Sequence, residues 1–235
     1  MKKALALILA LTMVFALAAC GGSTKAMSHA DYAAADMESE VTVETYVQDK
    51  QSWWDNKATL YAQSEDGAYF IYNAAVSQAD YDKLTPGTKI QVTGHKTEWS
   101  GEVEIADATI KILKGSWEAP VTDVTDLLGS EALIEHQNEK VSFSGLTVEP
   151  MDDGTSAFYY SWDNSGQEGT DSDLYFNASK DGVTYSFVVE YYLRNESSDV
   201  YNAVRNLQVG DTVDLEGFLY WYNGAQPHIT SVTVK

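Results

Sequence analysis

The sequence predicts an all-β protein that contains two copies of one small barrel or sandwich, and three observations support this prediction. Two pairs of segments recur along the chain in the same order. Runs of alternating apolar and polar residues, which are typical of half-buried strands, flank Asp-Gly pairs. Each copy also has one short helical segment at the same place. The repeating unit is about a hundred residues long, within the usual size range of a domain.

The N-terminal stretch "MKKALALILALTMVFALAAC" has the layout of a secretory signal peptide, with two lysines, an apolar run and small residues before a cysteine. Its last four residues, LAAC, resemble the bacterial lipobox, in which the signal is cut before a cysteine that carries diacylglycerol. We therefore expect a signal peptide at residues 1–19 and lipidation of Cys20, the one cysteine of the chain. Residues 20–40 are small and polar and predict a flexible tether.

The first three strands of each copy are predicted from alternation and turn chemistry. Residues 41–47 and 140–148 alternate and predict the first strand of each copy. The runs "LYAQSEDGAYFIYN", from Leu60, and "LYFNASKDGVTYSFVVE", from Leu174, each predict a hairpin. We place the turns at Asp66-Gly67 and Asp181-Gly182, because Asp-Gly suits the positive φ of tight hairpin turns.

A short helix and two more strands complete each copy. Segments 77–84 and 197–207 predict the helices, with Ser77 as the N-cap of the first. The last two strands are predicted in "LTPGTKIQVTGHKTEWSGEVEIADATIKIL" and in its counterpart, which starts at "LQVGDTVDLEGFLYWYNG" and ends at "HITSVTVK". The domains are therefore predicted at residues 41–115 and 140–235, with a connector at 116–139 and a long acidic loop at 149–173.

Five strands with a helix between the third and fourth follow the order of the OB-fold, a small, partly open Greek-key barrel. The run of residues 84–113 resembles the last two strands of bacterial OB-fold domains. With its LAAC motif, the chain resembles exported bacterial lipoproteins built from tandem OB-like domains, over residues 41–235. The resemblance implies two tandem five-stranded OB-fold-like barrels, each with one short helix.

The charge of the chain disfavours nucleic acid as a ligand. The net charge is −20, and without residues 1–19 there are 13 Lys and Arg against 35 Asp and Glu, which gives −22. Residues 41–115 hold 7 basic and 11 acidic groups, and residues 116–235 hold 5 and 20. OB-folds that bind single strands need a positive groove beside stacking aromatics. A nucleic-acid-binding lipoprotein remains the alternative, through a patch on the first barrel that would comprise Lys57, Lys83, Lys89 and Lys96.

Motifs of known enzymes are missing from the sequence, which contains no His-Glu-x-x-His, Gly-x-Ser-x-Gly, phosphate-binding glycine loop or Cys-x-x-Cys. The four histidines, His29, His95, His136 and His228, are scattered. We therefore predict a protein that is not an enzyme and has no cofactor. An envelope enzyme without a recognisable motif is the second alternative.

Aromatic residues in the loops and on the second and third strands provide the candidate ligand contacts, because OB-folds bind ligands there. Flat aromatic faces beside polar groups suit sugar rings, bases or the apolar surface of a partner. The competing interpretation is that the rings seal the barrel ends and cover the contact between the domains. The candidates are Trp53, Trp54, Trp99, Tyr69, Tyr72, Tyr159, Tyr160, Trp162, Trp221 and Tyr222.

The long loop at residues 149–173 carries oxygen ligands of the kind that calcium prefers. Its spacing matches no known calcium loop, so a solvated acidic loop is the competing interpretation. The calcium candidates are Asp152, Asp153, Asp163, Asp171 and Asp173.

Together these features predict a lipoprotein held by Cys20 on the outer face of a cell membrane, of the Gram-positive type. We expect a monomer whose aromatic loops contact an oligosaccharide, a peptide or another envelope protein.

Overall fold

Twelve β-strands and three short α-helices form the part of the chain that the computed structural model describes, residues 25–235. The predicted signal peptide, Cys20 and the first residues of the tether lie outside it. The strands are β1 (Glu40–Lys50), β2 (Lys57–Ser64), β3 (Gly67–Ala75), β4 (Thr88–Trp99), β5 (Glu102–Ser116), β6 (Thr122–Asp123), β7 (Lys140–Glu149), β8 (Phe158–Tyr160), β9 (Leu174–Lys180), β10 (Val183–Val189), β11 (Thr212–Phe218) and β12 (His228–Val234). The α-helices are α1 (His29–Ala34), α2 (Gln78–Tyr81) and α3 (Asp199–Arg205), and two 3-10 helices span Thr125–Leu127 and Glu131–His136.

The strands form two barrels with the same order. In barrel 1, strands β1, β2, β3, β5 and β4 close on themselves through the pairing of β1 with β4. In barrel 2, strands β7, β9, β10, β12 and β11 close through the pairing of β7 with β9. Each ring runs first, second, third, fifth and fourth strand, and the third and fifth strands pair in parallel. The predicted fold class, two tandem OB-fold-like barrels, is confirmed.

Each barrel encloses its own apolar core. The inward positions of β1 to β5, such as Val43, Leu60 and Ile90, are fully buried in barrel 1. Larger aromatic rings fill the core of barrel 2. Phe143 and Phe187, for example, pack edge to face with 5.3 Å between their ring centroids. These residues explain the alternating pattern of the sequence, since successive side chains of a strand point to opposite faces.

The fourth strand of each barrel contains a glycine, Gly94 in β4 and Gly217 in β11, and the two glycines have the same role. A Cβ added at Gly94 would lie 2.6 Å from the carbonyl oxygen of Ala106, and one at Gly217 would lie 2.1 Å from that of His228. Both glycines lie where the register of the fourth and fifth strands shifts at a bulge. The repeated glycine therefore permits the close approach of two backbones.

The helices between the third and fourth strands are present but shorter than predicted. Ser77 caps α2, where its hydroxyl accepts a hydrogen bond from the amide of Asp80 at 3.2 Å. Ser198 caps α3 in the same way, with the amide of Tyr201 at 3.3 Å. None of the helices in residues 25–235 is long and apolar enough to cross a membrane.

The first hairpin turn differs from the prediction. In barrel 2 the turn is Asp181-Gly182, and both residues have positive φ, as the sequence predicts. In barrel 1, Ser64 pairs with Gly67, so the turn is Glu65-Asp66, neither with a positive φ. The prediction of an Asp66-Gly67 turn is wrong because this glycine serves a different purpose. A Cβ there would lie 2.1 Å from the ring carbon Cγ of His29, which packs on the turn.

Residues 25–40 are folded against barrel 1, which corrects the prediction of a flexible tether for this segment. Ser28 and Asp31 form a reciprocal capping box at the start of α1. Tyr32 is buried in the core of barrel 1. The amide of His29 donates to Asp66 Oδ2 at 2.8 Å, and Lys96 Nζ donates to the carbonyl oxygens of residues 33 and 35. A single aromatic anchor on a six-residue helix leaves no periodic signal in the sequence.

We expect Gly67→Ala to displace α1, because the new Cβ would overlap the His29 ring. The overlap should lower the free energy of unfolding by about 1–3 kcal/mol. Hydrogen exchange measured by mass spectrometry should show that residues 28–36 lose protection. The double variant Gly67→Ala, His29→Ala removes the ring and should restore that protection. Unchanged exchange in the single variant would contradict the docking of α1 on this turn.

The two barrels pack through an aromatic cluster and several backbone hydrogen bonds. Tyr61 of barrel 1 stacks on Phe218 of barrel 2, with 4.4 Å between centroids and 18° between planes. The amide of Trp221 donates to Glu102 Oε2 at 2.9 Å, and the amide of Asn223 donates to the carbonyl oxygen of Ser100 at 2.7 Å. The connector adds the short strand β6 to the edge of β7.

Candidate functional site

A cleft lies between the two barrels, formed by two adjoining cavities of about 470 and 670 Å³. Both cavities are lined by Trp99, Glu190, Tyr220 and His228, so we treat them as one site and call it the interbarrel cleft. Their sizes fall within the range of pockets that bind small molecules.

The interbarrel cleft occupies the face of barrel 2 on which OB-folds bind ligands. That face consists of the second and third strands and the loops after the first and fourth strands. Tyr175 and Asn177 point into the cleft from β9, and Ser186 does so from β10. Trp162 lies in the long segment between β7 and β9, just after β8, and Tyr222 lies in the loop after β11. Because alternate residues of β9 are buried in the core, its polar and aromatic residues face the cleft.

Exposed aromatic rings surround the opening of the cleft. Trp162 is 76% exposed, Trp99 62%, Tyr222 46% and Tyr72 45%. Trp99 stands at the end of β4 and Tyr72 on β3, so barrel 1 contributes two of the four rings. Large rings grouped at the mouth of a cavity are typical of a binding site, whereas single exposed apolar residues are common everywhere.

His228 forms part of the floor of the cleft and is only 7% exposed. Its Nδ1 lies 2.5 Å from the hydroxyl of Tyr61. The Tyr61 hydroxyl is fully buried and has no other acceptor among the described residues, so we assign it as the donor to Nδ1 and place the ring proton on Nε2. Burial lowers the pKa of His228 to about 3, so the ring is neutral. Tyr220 stacks on this ring at 4.3 Å and holds it in place.

The charged groups of the cleft are acidic. Glu104, Asp152, Asp173 and Glu190 line it, and no Lys or Arg of residues 25–235 does. Burial, and then the charge of Asp173, raises the pKa of Glu190 to about 7. Burial also raises the pKa of Asp173 and that of Glu104. The two oxygens of Glu190 accept hydrogen bonds from the amides of Tyr192 and Leu193, at 3.1 and 2.7 Å.

Only some of the predicted aromatic candidates meet in this cleft. Trp99, Tyr72, Trp162 and Tyr222 line it. Trp53 and Trp54 do not line the cleft but a neighbouring cavity of about 720 Å³, which shares Gln51 and Tyr72 with it and is also lined by Lys57.

Four further candidates lie away from the cleft. Tyr69 is buried in the core of barrel 1, and Tyr159 is buried with its hydroxyl accepting from the amide of Asp153 at 2.9 Å. Neither is accessible to a ligand, so both predictions are wrong. Tyr160 packs against the core of barrel 2, and Trp221 is half-buried at the contact between the barrels.

The predicted calcium ligands do not converge. No three His, Cys, Asp or Glu residues of the described chain are placed to hold a metal ion. Asp153 instead accepts hydrogen bonds from Ser156 and the amide of Thr155, which lower its pKa to about 2. Asp163 caps the amide of Ser165 at 3.0 Å. The structure does not support the calcium prediction, because Asp153 and Asp163 stabilise turns of their own loop, whereas Asp152 and Asp173 line the cleft and Asp171 lines the neighbouring cavity.

Sequence analysis missed His228, Glu190, Tyr175 and Tyr220 as residues of the site. No local motif marks them, and His228 is held by Tyr61, which lies 167 residues earlier. The one usable signal was the position of Tyr220 in the predicted loop after the fourth strand of barrel 2.

The comparisons with known proteins identify no family, and the solved structures that they find are only distantly similar. No protein-family model matches the chain, and no curated protein matches it. Among solved structures, the HINb domain of p204 is 15% identical, with a TM-score of 0.39, over 86% of this chain and all of that domain. A murine DNA binding protein bound with double-stranded DNA is 10% identical, with a TM-score of 0.35, over 83% of this chain and 94% of that one. A Replication Protein A heterotrimer bound to single-stranded DNA gives the same identity and TM-score, over 83% of this chain and 49% of that one. Such values carry no argument about function.

Proposed function

We propose that this protein is a lipid-anchored binding module on the outer face of the cell membrane and that it holds an oligosaccharide in the interbarrel cleft. The observation that carries the proposal is the group of four exposed rings, Trp99, Trp162, Tyr72 and Tyr222, around a cavity on the ligand-binding face of barrel 2. The anchor rests on the lipobox-like LAAC and on Cys20.

The chemistry of the cleft favours a saccharide over an apolar ligand. Flat rings pack on the C–H faces of sugars, while hydroxyl groups need both donors and acceptors. Asn177, Gln226 and Ser186 supply neutral polar groups beside the rings, and His228 supplies the Nε2–H donor. A peptide that adds a strand to a sheet needs a free edge. Barrel 1 is closed, and the free edges of the sheet of barrel 2 lie on the short strands β6 and β8, so that mode is disfavoured here.

Nucleic-acid binding is the second candidate, because Trp53, Trp54 and Lys57 line one cavity on barrel 1. One lysine faces Asp171 there, so the groove lacks the positive stripe that displaces counterions from phosphates. Binding of single-stranded DNA that falls steeply with salt and requires Trp54 would establish this candidate. We propose no catalytic role.

We expect Trp99→Ala and Trp162→Ala each to weaken oligosaccharide binding about tenfold, because each removes a stacking surface from the mouth of the cleft. Isothermal titration calorimetry would measure this on the full chain, in a detergent without a sugar headgroup, against a panel of cell-wall and plant oligosaccharides. Trp54→Ala is the matched control, since Trp54 is 80% exposed but lies outside the cleft. Equal losses in all three variants, or no binding by the unmodified chain, would contradict the assignment of the cleft.

A further inference from the structure

We propose that the interbarrel cleft selects saccharides that carry free amino groups, and that it binds the ammonium group between its carboxylates and its aromatic rings. This inference rests on the proposed function and names the class of sugar. The cleft is lined by acidic groups, whereas most sugars carry no charge.

The acidic groups of the cleft have neutral hydrogen-bond partners, such as the amide of Tyr191 that donates to Asp173 at 2.8 Å, but no cationic partner among residues 25–235. Four acidic side chains line the two cavities without a lysine or arginine from the described part of the chain. The nearby Arg194 is paired with Asp49 instead. A neutral sugar would cover these carboxylates and remove water from them without compensation, which costs free energy. A ligand with an ammonium group would supply that compensation through charge-assisted hydrogen bonds.

His228 provides an independent indication of a ligand. More than nine-tenths of the residue is buried, and its Nε2 has no hydrogen-bond partner among residues 25–235. Because Nδ1 accepts from Tyr61, Nε2 carries the proton and points a fixed donor towards the cleft. The ligand should therefore place an oxygen at this point. A hydroxyl group close to an ammonium group is the arrangement found in an amino sugar.

The lining of the cleft suits an organic cation better than a bare metal ion. The described residues place no three metal-ligating side chains together, as noted above for calcium. The faces of Tyr220, Trp99 and Trp162 instead suit an organic cation, since aromatic rings attract ammonium groups over their faces. The polar side chains of Asn177 and Gln226 suit the remaining hydroxyl groups of a sugar.

The test compares two ligands with the same sugar backbone, one with free amino groups and one in which every amino group is acetylated and uncharged. A tetramer of β-1,4-linked glucosamine and its fully N-acetylated counterpart would be titrated into the full chain by calorimetry. The buffer would be at about pH 7 with low salt, because this pH lies below the pKa of an aliphatic amine, and at pH 6 most of Glu190 would be protonated. We expect the glucosamine tetramer to bind at least about tenfold more tightly. Stronger or equal binding of the acetylated tetramer would overturn the selectivity while leaving the proposed function intact, and no binding of any saccharide would overturn both.

Variants assign the effect to the cleft. We expect Asp173→Asn to weaken binding of the glucosamine tetramer about tenfold more than it weakens binding of the acetylated tetramer. Asp152→Asn, at an exposed position of the same cleft, should act in the same direction without a risk to folding. Asp181→Asn removes one charge at the exposed β9–β10 turn, and asparagine tolerates its positive φ. An equal loss of affinity in Asp181→Asn would mean that the ligand is attracted by the overall negative charge of the protein. Binding of tetralysine as tight as that of the glucosamine tetramer would mean that the ligand is a cationic peptide. Either result overturns the proposal.

Discussion

Raising the pH from about 6.5 to about 8 should lower the free energy of unfolding, by up to about 1.4 kcal/mol per pH unit from Glu102 alone. Glu102 is fully buried at the contact between the barrels. Burial raises its pKa to about 8, against hydrogen bonds from the amide of Trp221 and from Gln137 that favour the charged form. The unfolded chain loses this proton near the ordinary pKa of a glutamate, so between the two values the folded state binds more protons and stability falls as the pH rises.

Two unpaired atoms at this contact agree with a protonated Glu102. Glu102 Oε1 and Asn138 Oδ1 are both buried without a hydrogen-bond partner in the described chain. Two acceptors cannot satisfy each other, but a proton on the carboxyl group makes it a donor. The Asn138 side chain lies within hydrogen-bonding reach of this carboxyl group. A protonated Glu102 that donates to Asn138 Oδ1 would satisfy both atoms, and ionisation would leave them unpaired.

The pH window is set by His228, which has the opposite effect below its ordinary pKa. Its pKa in the folded state is about 3, so the unfolded chain binds one more proton at this residue between about pH 3 and 6.5. Stability due to His228 therefore rises with pH over that interval and offsets the fall due to Glu102. Above about pH 6.5 the fall due to Glu102 is unopposed, and Glu190, with a pKa of about 7, adds to it up to that pH.

Chemical denaturation at half-unit steps of pH would measure this slope. Glu102→Gln should flatten it by about one proton, because the amide keeps an acceptor for Trp221 and cannot ionise. Glu98→Gln is the matched control, since Glu98 lies exposed on the same hairpin and should leave the slope unchanged. A slope in Glu102→Gln equal to that of the unmodified chain would show that Glu102 is ionised in the folded protein.

The barrels were predictable from the sequence because their signals are local. Alternation places Val43, Leu60 and Ile90 in the core of barrel 1, and Asp181-Gly182 forms the predicted turn. The assignment of faces failed on β3, where "AYFIY" is apolar on both sides. Tyr69 points inward, while Phe70 on the opposite face packs against barrel 2. Because one face of β3 packs in the core of barrel 1 and the other packs against barrel 2, the strand has no polar face from which the sequence could predict its orientation.

The site was only partly predictable because it requires the packing of one barrel on the other. The sequence offered Trp99, Trp162 and Tyr222 as ligand contacts and left open whether they are buried, and all three are exposed. Nothing in the sequence places Trp99 of barrel 1 opposite Trp162 of barrel 2, because that depends on the orientation of two separate domains. The partnership of Tyr61 with His228 has the same origin and the same absence of a local signal.

Phe218→Ala should separate the unfolding of the two barrels and lower the total free energy of unfolding by about 3–5 kcal/mol. Phe218 is buried against Tyr61 in the aromatic cluster that forms the apolar contact between the barrels, which also contains Phe70 and Leu193. Truncation leaves a cavity beside Tyr61 and removes most of the coupling. Differential scanning calorimetry should then show two transitions where the unmodified chain shows one.

Phe143→Ala is the control, because it removes an equally buried ring from the core of barrel 2 alone. That variant keeps the contact between the barrels and should unfold in one transition at a lower temperature. A single transition in Phe218→Ala would instead mean that polar contacts such as Trp221 to Glu102 are enough to couple the barrels. The same variant should weaken ligand binding, because Tyr61 would lose the packing that holds its hydroxyl on His228. The stability of the aromatic cluster and the geometry of the cleft would then depend on the same ring.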